Sequence, residues 1–379
     1  MIAPPLSLYI HIPWCVQKCP YCDFNSHGLK QAIPEKEYIQ HLLADLEIDA
    51  KQVSGRTVKT IFIGGGTPSL LSAEALSALL AGVAQRVDLA ANAEITLEAN
   101  PGTVESQKFK DFSLAGVNRI SIGVQSFQPQ KLIALGRIHD GPQALNAAQY
   151  AQQAGLKSFN LDLMHGLPNQ SIDDALSDLK TAISQRPPHL SWYQLTIEPN
   201  TQFHSKPPTL PDDDILWDIQ EQGQALLTEA GYKQYEISAY SLPEQQCQHN
   251  LNYWRFGDYL GIGCGAHSKI SDPNSGVITR SEKVKHPRGY MDLSKDYRFK
   301  TWQVSAEDLP FEFFMNRLRL LEPCPKQDYE KLTGLTLDKT LLANLDNAVK
   351  KGLLTDSPHE WQLTALGKRY LNTLLETLV

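Results

Sequence analysis

The sequence predicts an α/β fold, a partial (β/α)6 barrel followed by a small C-terminal unit that is helical and winged-helix-like. Three observations carry this. Short β-rich runs alternate with amphipathic stretches through residue 230, polar residues recur where the runs end, and beyond residue 240 the alternation stops. The runs are Ser7–Pro13, Thr60–Gly66, Glu94–Pro101, Arg119–Ser126, Ser158–Pro168 and Ser191–Pro199. Helical candidates lie between and after them at 37–53, 72–87, 104–115, 128–154, 172–185 and 212–230, the last behind the N-terminal acids Asp212, Asp213 and Asp214. Such alternation implies a parallel sheet with right-handed crossovers, for which a doubly wound sheet is the poorer fit.

The polar run ends are the cysteine loop after the first strand, Gly-Gly-Gly-Thr-Pro after the second, Glu98, Gln125 and Asp162. In α/β barrels that edge carries the active site. Turn chemistry alone explains the glycines and prolines but not three polar side chains at one mouth. The expected organisation is a barrel over 1–240, a Gly-, Tyr-, Trp- and His-rich bridging segment over 241–305, and the C-terminal unit over 306–379. In that unit Phe311–Glu322, Gln327–Leu332 and Leu341–Lys351 read as helices, Gly352–Leu363 as a hairpin and Ala365–Leu378 as a closing helix.

With 379 residues, the chain can bury a large core without disulfides. A net charge of −7 argues against a nucleic-acid or anionic-membrane coat, leaving a local basic patch at Arg280, Lys283, Lys285 and Arg288 open. The acidic balance also argues against a DNA-binding role for the winged-helix-like unit. Neither a signal peptide nor an apolar run of about 18 residues is visible, so a cytoplasmic protein without a transmembrane segment is expected. Peripheral membrane association and a homodimer stay open.

Three of the six cysteines fall within eight residues, Cys15, Cys19 and Cys22. Such a cluster in a large chain points to a metal site in a reducing compartment rather than to disulfides. Thiolates are the natural ligands of iron–sulfur clusters. Three of them hold three irons of a [4Fe–4S] cubane and leave the fourth without a protein ligand. Zinc is the rival, with His11 or His27 as a fourth ligand. The Cys-x3-Cys-x2-Cys spacing, with aromatic Tyr21 before the third cysteine, resembles the radical S-adenosylmethionine (SAM) superfamily. The resemblance implies that SAM chelates the open iron and can be cleaved to a 5′-deoxyadenosyl radical. Gly64–Pro68 then offers close backbone approach to the amino-acid end of SAM, Glu98 and Asp162 acceptors for ribose hydroxyls, Arg137 a carboxylate clamp and Gln125 a polar bridge. Taken alone, Arg137 reads as a surface helix residue and Asp162 as a buried, internally satisfied one.

Tyr-Ile-His-Ile-Pro, Gly-Gly-Gly-Thr-Pro-Ser, Glu-Ala-Asn-Pro, Ile-Ser-Ile-Gly-Val-Gln-Ser-Phe and Asn-Leu-Asp-Leu-Met-His-Gly-Leu-Pro together resemble the oxygen-independent coproporphyrinogen III oxidase family over essentially the whole chain. That resemblance places SAM contacts on Tyr9, Tyr21, Gly65, Gly66, Thr67, Glu98, Gln125, Arg137 and Asp162. Two departures argue against the oxidase reaction. Phe24 stands where the oxidase has a further cysteine, and the oxidase's extension before the first strand has no counterpart ahead of residue 7. His249-Asn-Leu-Asn-Tyr253-Trp254 instead resembles the His-Asn-x-x-Tyr-Trp motif of the HemW-type haem chaperones, related proteins that pass haem to haem-requiring respiratory proteins. This resemblance implies haem binding through His249, with Cys247, Cys264 and His267 as competing ligands and haem-accepting apoproteins as partners. Residue chemistry alone reads His249 as a loop histidine and Trp254 as a core anchor. Decarboxylation of coproporphyrinogen III in porphyrin biosynthesis is the alternative function.

Overall fold

A computed structural model describes residues 1–292 and 296–378. Twelve strands form one sheet: β1 Leu6–Ile12, β2 Thr57–Gly65, β3 Asp88–Ala99, β4 Arg119–Gln125, β5 Ser158–His165, β6 His189–Gln194, β7 Lys233–Glu236, β8 Ala239–Ser241, β9 Asp258–Ile262, β10 His267–Asp272, β11 Val277–Lys283 and β12 Arg298–Gln303. Their order is β12-β11-β10-β9-β1-β2-β3-β4-β5-β6-β8-β7. Strands β1 to β6 pair in parallel in chain order, as the sequence predicts. Beyond residue 240 the expected break in alternation does occur, and the bridging segment joins the sheet itself. Strand β9 joins the sheet parallel to β1, and β10, β11 and β12 extend it antiparallel. Its runs are mixed in polarity, which hides them as strands until their partners are known.

The helices after the parallel strands are α1 Glu35–Asp49, α2 Ala73–Ala84, α3 Ser106–Leu114, α4 Gly141–Gln153, α5 Ile172–Ser184 and α6 Asp213–Glu229. Each buries an apolar stripe against the sheet; on α1 the stripe is Tyr38, Leu42 and Leu46, at helical spacing. Each such side chain contributes about 1.5–3 kcal/mol on leaving water. The ends are set by side chains: Ser72 caps α2, Asp140 and Ser171 form capping boxes on α4 and α5, and Asp212 caps α6. The hydroxyl of Tyr38 donates to the His11 carbonyl (2.7 Å) and accepts from the Cys264 N–H (3.0 Å), so α1 fixes the end of β1.

One expectation fails in an informative way. Residues 128–154 are not one helix: a short helix, Pro129–Ala134, ends before Gly136 (φ +63°), and α4 begins only after Asp140. The break presents Arg137 to the strand ends. Its sequence signals are the left-handed glycine and the Asp-Gly-Pro helix start.

Helix α7, Gln248–Trp254, packs against β1, β2 and β9. The C-terminal unit holds α8 Leu309–Arg317, α9 Lys326–Thr333 and α10 Lys339–Lys350, with a small sheet of Cys324–Pro325, Leu354–Asp356 and Glu360–Leu363. The predicted hairpin is there, whereas the closing helix is split at Tyr370. This unit's core of Phe313, Phe314, Tyr329 and Trp361 continues into Phe256, just before β9, and Ile278 of β11.

Candidate functional site

Strand parity builds the site. Along β1, Leu6, Leu8, Ile10 and Ile12 are buried in the helix-covered core, which turns Ser7, Tyr9 and His11 to the inner face. Register then lines up inner-face residues of successive strands: Glu98 beside Ser121, Gly123 beside Asp162, and Asp162 beside Ser191.

A cavity of about 320 Å³ opens where these strands end. Cys15, Cys19 and Cys22 line it together with Tyr21, Gly65, Gly66, Thr67, Glu98, Gln125, Arg137 and Asp162. Residues separated by up to 147 positions thus converge, and of the expected SAM set Tyr9 alone is absent from this wall; it lines a second cavity alongside Gly65 and Glu98. Backbone bonds hold the cysteine loop. Gly66 N–H donates to Ile12 O (2.8 Å), Thr67 N–H to Trp14 O (2.7 Å), Leu29 N–H to Cys15 O (2.8 Å) and Cys22 N–H to Cys19 O (3.1 Å). The chain passes so close at Gly66 that a Cβ there would lie 2.6 Å from the Trp14 carbonyl oxygen, and at Gly65 (φ +114°) one would strike the His11 ring.

All six cysteines are unpaired. Burial pushes the Cys15 and Cys22 thiols up. Arg137 donates from Nη2 to Gly123 O (2.7 Å) and from Nη1 to Cys19 Sγ (3.6 Å), while its buried Nε has no partner. It is therefore not the surface helix residue that local patterning suggests. Gly65 N–H donates to Glu98 Oε2 (3.0 Å); burial first, then the nearby Asp162 charge, push the Glu98 carboxyl up to about 8. Asp162 accepts from Ser121 Oγ (2.9 Å) and Asn160 Nδ2 (2.7 Å), side chains rather than backbone. Gln125 closes β4 at φ +68°, a conformation costly for a residue with a Cβ, and accepts from the Tyr193 hydroxyl (2.9 Å). Tyr193 lines the cavity and was not singled out by the sequence, although it lies at the end of β6 in phase with the others.

The zinc alternative loses its fourth ligand. His11 engages Tyr9 OH through Nδ1 (3.0 Å) and Asn25 O through Nε2 (2.8 Å), and His27 bonds Lys285 O (3.2 Å). Neither lines the cysteine cavity, and among the described residues no three His, Cys, Asp or Glu side chains converge on a point that would hold one metal ion.

The second cavity is larger, about 1040 Å³, and shares Lys18, Phe24, Ser26, Gly65 and Glu98 with the first. Phe24, 59% exposed, is a wall of both. Tyr253, Trp254, Tyr259 and His267 line the far side. His249 does not line it. It is 1% exposed, with Nδ1 on Thr60 Oγ1 (2.7 Å) and Nε2 on Tyr253 OH (3.0 Å), and burial pushes its pKa down to about 3. Cys247 faces Glu94 (3.6 Å) and Cys264 donates to Lys285 O (2.7 Å), so of the three competing ligands His267 alone reaches the cavity. The basic patch that the sequence leaves open is not continuous: Lys283 is buried between Asp45 and Asp49, and Arg280 pairs with Glu312.

Residues 9–182 match the Radical SAM superfamily and residues 304–370 the HemN C-terminal domain. "Heme chaperone HemW" of Escherichia coli (strain K12) is 62% identical over 98% of both chains. The chain belongs to the HemW family of radical SAM proteins. "Heme chaperone HemW" of Haemophilus influenzae is 58% identical over 98% of this chain and 97% of its own, and that of Mycobacterium tuberculosis (strain CDC 1551) is 35% identical over 100% and 96%. The solved coproporphyrinogen III oxidase (HemN) of Escherichia coli, a radical SAM enzyme, shares the fold with a TM-score of 0.84 over 99% of this chain and 90% of that one, at 24% identity.

The HemW-family motif over 249–254 has a visible structural logic. His249 and Tyr253 lie one turn apart on α7 and meet. Asn252 donates to Ser7 Oγ (2.8 Å) and Asp258 O (2.9 Å), docking the helix between β1 and β9. Trp254 lines the large cavity beneath Arg319, whose guanidinium lies 4.5 Å from the indole centroid. No helix among the described residues is long and apolar enough to cross a membrane.

Proposed function

We propose that this chain is a radical SAM haem chaperone, which binds haem in the large cavity beside a [4Fe–4S] cluster and delivers it to haem-dependent respiratory proteins. The observation that carries the reading is the junction of the two cavities through Phe24, Gly65 and Glu98, with Tyr253 and Trp254 of the HemW-type motif on the outer wall. The volume suits a large flat ligand, since clefts for small organic molecules run ~300–1,000 Å³. Trp254 adds a buried indole N–H without a protein acceptor.

Three thiols lining one cavity suit a cubane held by Cys15, Cys19 and Cys22 with one open iron. Arg137, whose Nε is unpartnered, suits the SAM carboxylate; Glu98 and Asp162 suit its ribose, and Gly65, Gly66 and Thr67 leave room for its amino-acid end. Tyr21 and Gln125 shape the same wall, and Tyr9 the border with the large cavity. When bound, the cluster supplies one electron at a time. A cytoplasmic, reducing setting suits thiols that must stay free. The functional units we assign are the barrel over 1–240, the bridging segment over 241–305 and the C-terminal unit over 306–379.

The test is haem uptake and release. Purified protein with reconstituted cluster should bind haemin with a defined Soret band and pass it to an apo-acceptor, and His249→Ala should do neither. Equal spectra and equal transfer in both would remove His249 from the reading, and no uptake by the parent protein would remove the reading itself. The gathered SAM set also favours a second reading, radical decarboxylation of coproporphyrinogen III. An anaerobic assay with reductant, SAM and coproporphyrinogen decides it: formation of protoporphyrinogen would establish an oxidase, and none would exclude one.

A further inference from the structure

The haem reading leaves a puzzle in the position of His249. Its imidazole lies behind the large cavity, and both ring nitrogens are engaged. The hydrogen-bond network fixes which nitrogen is free to accept. Thr60 Oγ1 gives its one proton to Ser7 Oγ (2.8 Å), so toward His249 it acts as acceptor and Nδ1 carries the hydrogen. Nε2 is then an unprotonated lone pair, and the Tyr253 hydroxyl donates to it at 3.0 Å. Phe62 packs against one side of the ring, with centroids 5.1 Å apart. Tyr253 stands edge-on at 4.8 Å and is itself half-buried, forming part of the cavity wall.

This is how metal-binding histidines are prepared, with one nitrogen tethered by an outer partner so that the other faces the metal. Here the facing nitrogen is capped. We propose that Tyr253 is a latch over the iron-binding nitrogen of His249, and that Thr60 is the positioning residue that sets the imidazole tautomer. In the closed state the phenol occupies the lone pair. Haem in the cavity takes its place: the Tyr253 O–H···Nε2 hydrogen bond breaks, an Fe–Nε2 bond forms, and the phenol keeps its proton and turns toward the cavity. No electron moves, and the imidazole stays neutral throughout. Release reverses the exchange, so the latch lowers the cost of letting haem go because the vacated nitrogen regains a partner.

Two other wall residues are less suited to the iron: the Tyr259 hydroxyl accepts from Arg280 Nη1 (3.1 Å), and His267 lies on the exposed rim with Glu282 3.8 Å away.

The inference rests on the haem reading, and the experiment separates the two. Stopped-flow haemin binding and resonance Raman spectra are measured on the full-length, cluster-reconstituted protein, on Tyr253→Phe and on Thr60→Val. With one neutral hydrogen bond removed from the competition, Tyr253→Phe should bind haemin about fivefold faster or tighter with an unchanged histidine–iron signature. Thr60→Val should weaken binding by a similar factor, and Thr60→Ser should restore it. Unchanged kinetics in Tyr253→Phe would overturn the latch. A lost or altered axial signature in that variant would also overturn it, by making Tyr253 itself the ligand. If the parent protein takes up no haemin, the functional reading falls and the latch with it. Circular dichroism of each apo-variant shows whether the fold persists.

Discussion

Gly66→Ala perturbs the site at its tightest backbone crossing. The new Cβ would lie 2.6 Å from Trp14 O and 2.9 Å from Pro13 C and Trp14 C. Carbon and oxygen need about 3.5 Å, so the two segments must part by about 0.9 Å. That stretches Gly66 N–H···Ile12 O from 2.8 Å and Thr67 N–H···Trp14 O from 2.7 Å to beyond hydrogen-bonding range. Two lost bonds cost about 2 kcal/mol, and strain at a packed crossing adds about 1–2 kcal/mol. Cys15 follows Trp14 directly, so the displacement passes into the first of the proposed cluster ligands. Destabilisation of about 3–4 kcal/mol is expected in urea titration of the cluster-free protein, with SAM binding weakened at least tenfold after anaerobic reconstitution. Gly28→Ala is the control: Gly28 pairs with Cys15 in a short bridge, and its added Cβ would meet nothing within 4 Å. It should match the parent protein. Parent-like stability and SAM affinity in Gly66→Ala would refute the claim that this crossing shapes the site.

Asp258 is fully buried, accepting from Arg56 (2.8 Å), Lys269 (3.2 Å) and both the N–H (2.9 Å) and hydroxyl (2.8 Å) of Ser271, so Asp258→Ala leaves a buried lysine unpaired and should cost about 3–5 kcal/mol in urea; a loss under 1 kcal/mol would contradict this. Burial pushes His11, His139 and His165 down to about 4, against about 6.5 unfolded. The unfolded chain therefore binds more protons across pH 4–6.5, so their stabilisation is complete above that window and is lost as pH falls through it. His165→Phe, which keeps a ring against Trp192 (4.4 Å), should flatten that acid slope; an unchanged slope would count against the burial argument. Arg137→Lys keeps the charge but loses the planar fork that donates to Gly123 O and that we propose also holds the SAM carboxylate, and calorimetry should show SAM affinity falling about tenfold with iron content unchanged; unaltered affinity would remove Arg137 from the SAM site.

The parallel sheet was legible because periodicity is local: Leu6, Leu8, Ile10 and Ile12 announce a strand with one helix-covered face whatever surrounds it. The cysteine loop was legible because its three thiols lie close together in the chain. Arg137 was legible only through the family resemblance, since its place depends on a helix break that Gly136 and the Asp140 capping box impose on an otherwise amphipathic stretch. Strand β9 depends on pairing with β1 at the far end of the chain, which no window of sequence contains, and β10 to β12 enter the sheet only through it. The burial of Lys283 between two aspartates 234 and 238 residues away is hidden for the same reason. His249 was singled out by its motif, whereas its cover by Tyr253 follows from helical spacing once α7 is known to form.

Mössbauer spectroscopy of protein reconstituted with ⁵⁷Fe, before and after SAM is added, reads the cluster iron by iron. With Cys15, Cys19 and Cys22 as the protein ligands, one iron in four should change its isomer shift when SAM arrives while three hold theirs. Four irons that ignore SAM, or a preparation that takes up zinc and no cubane, would contradict the account.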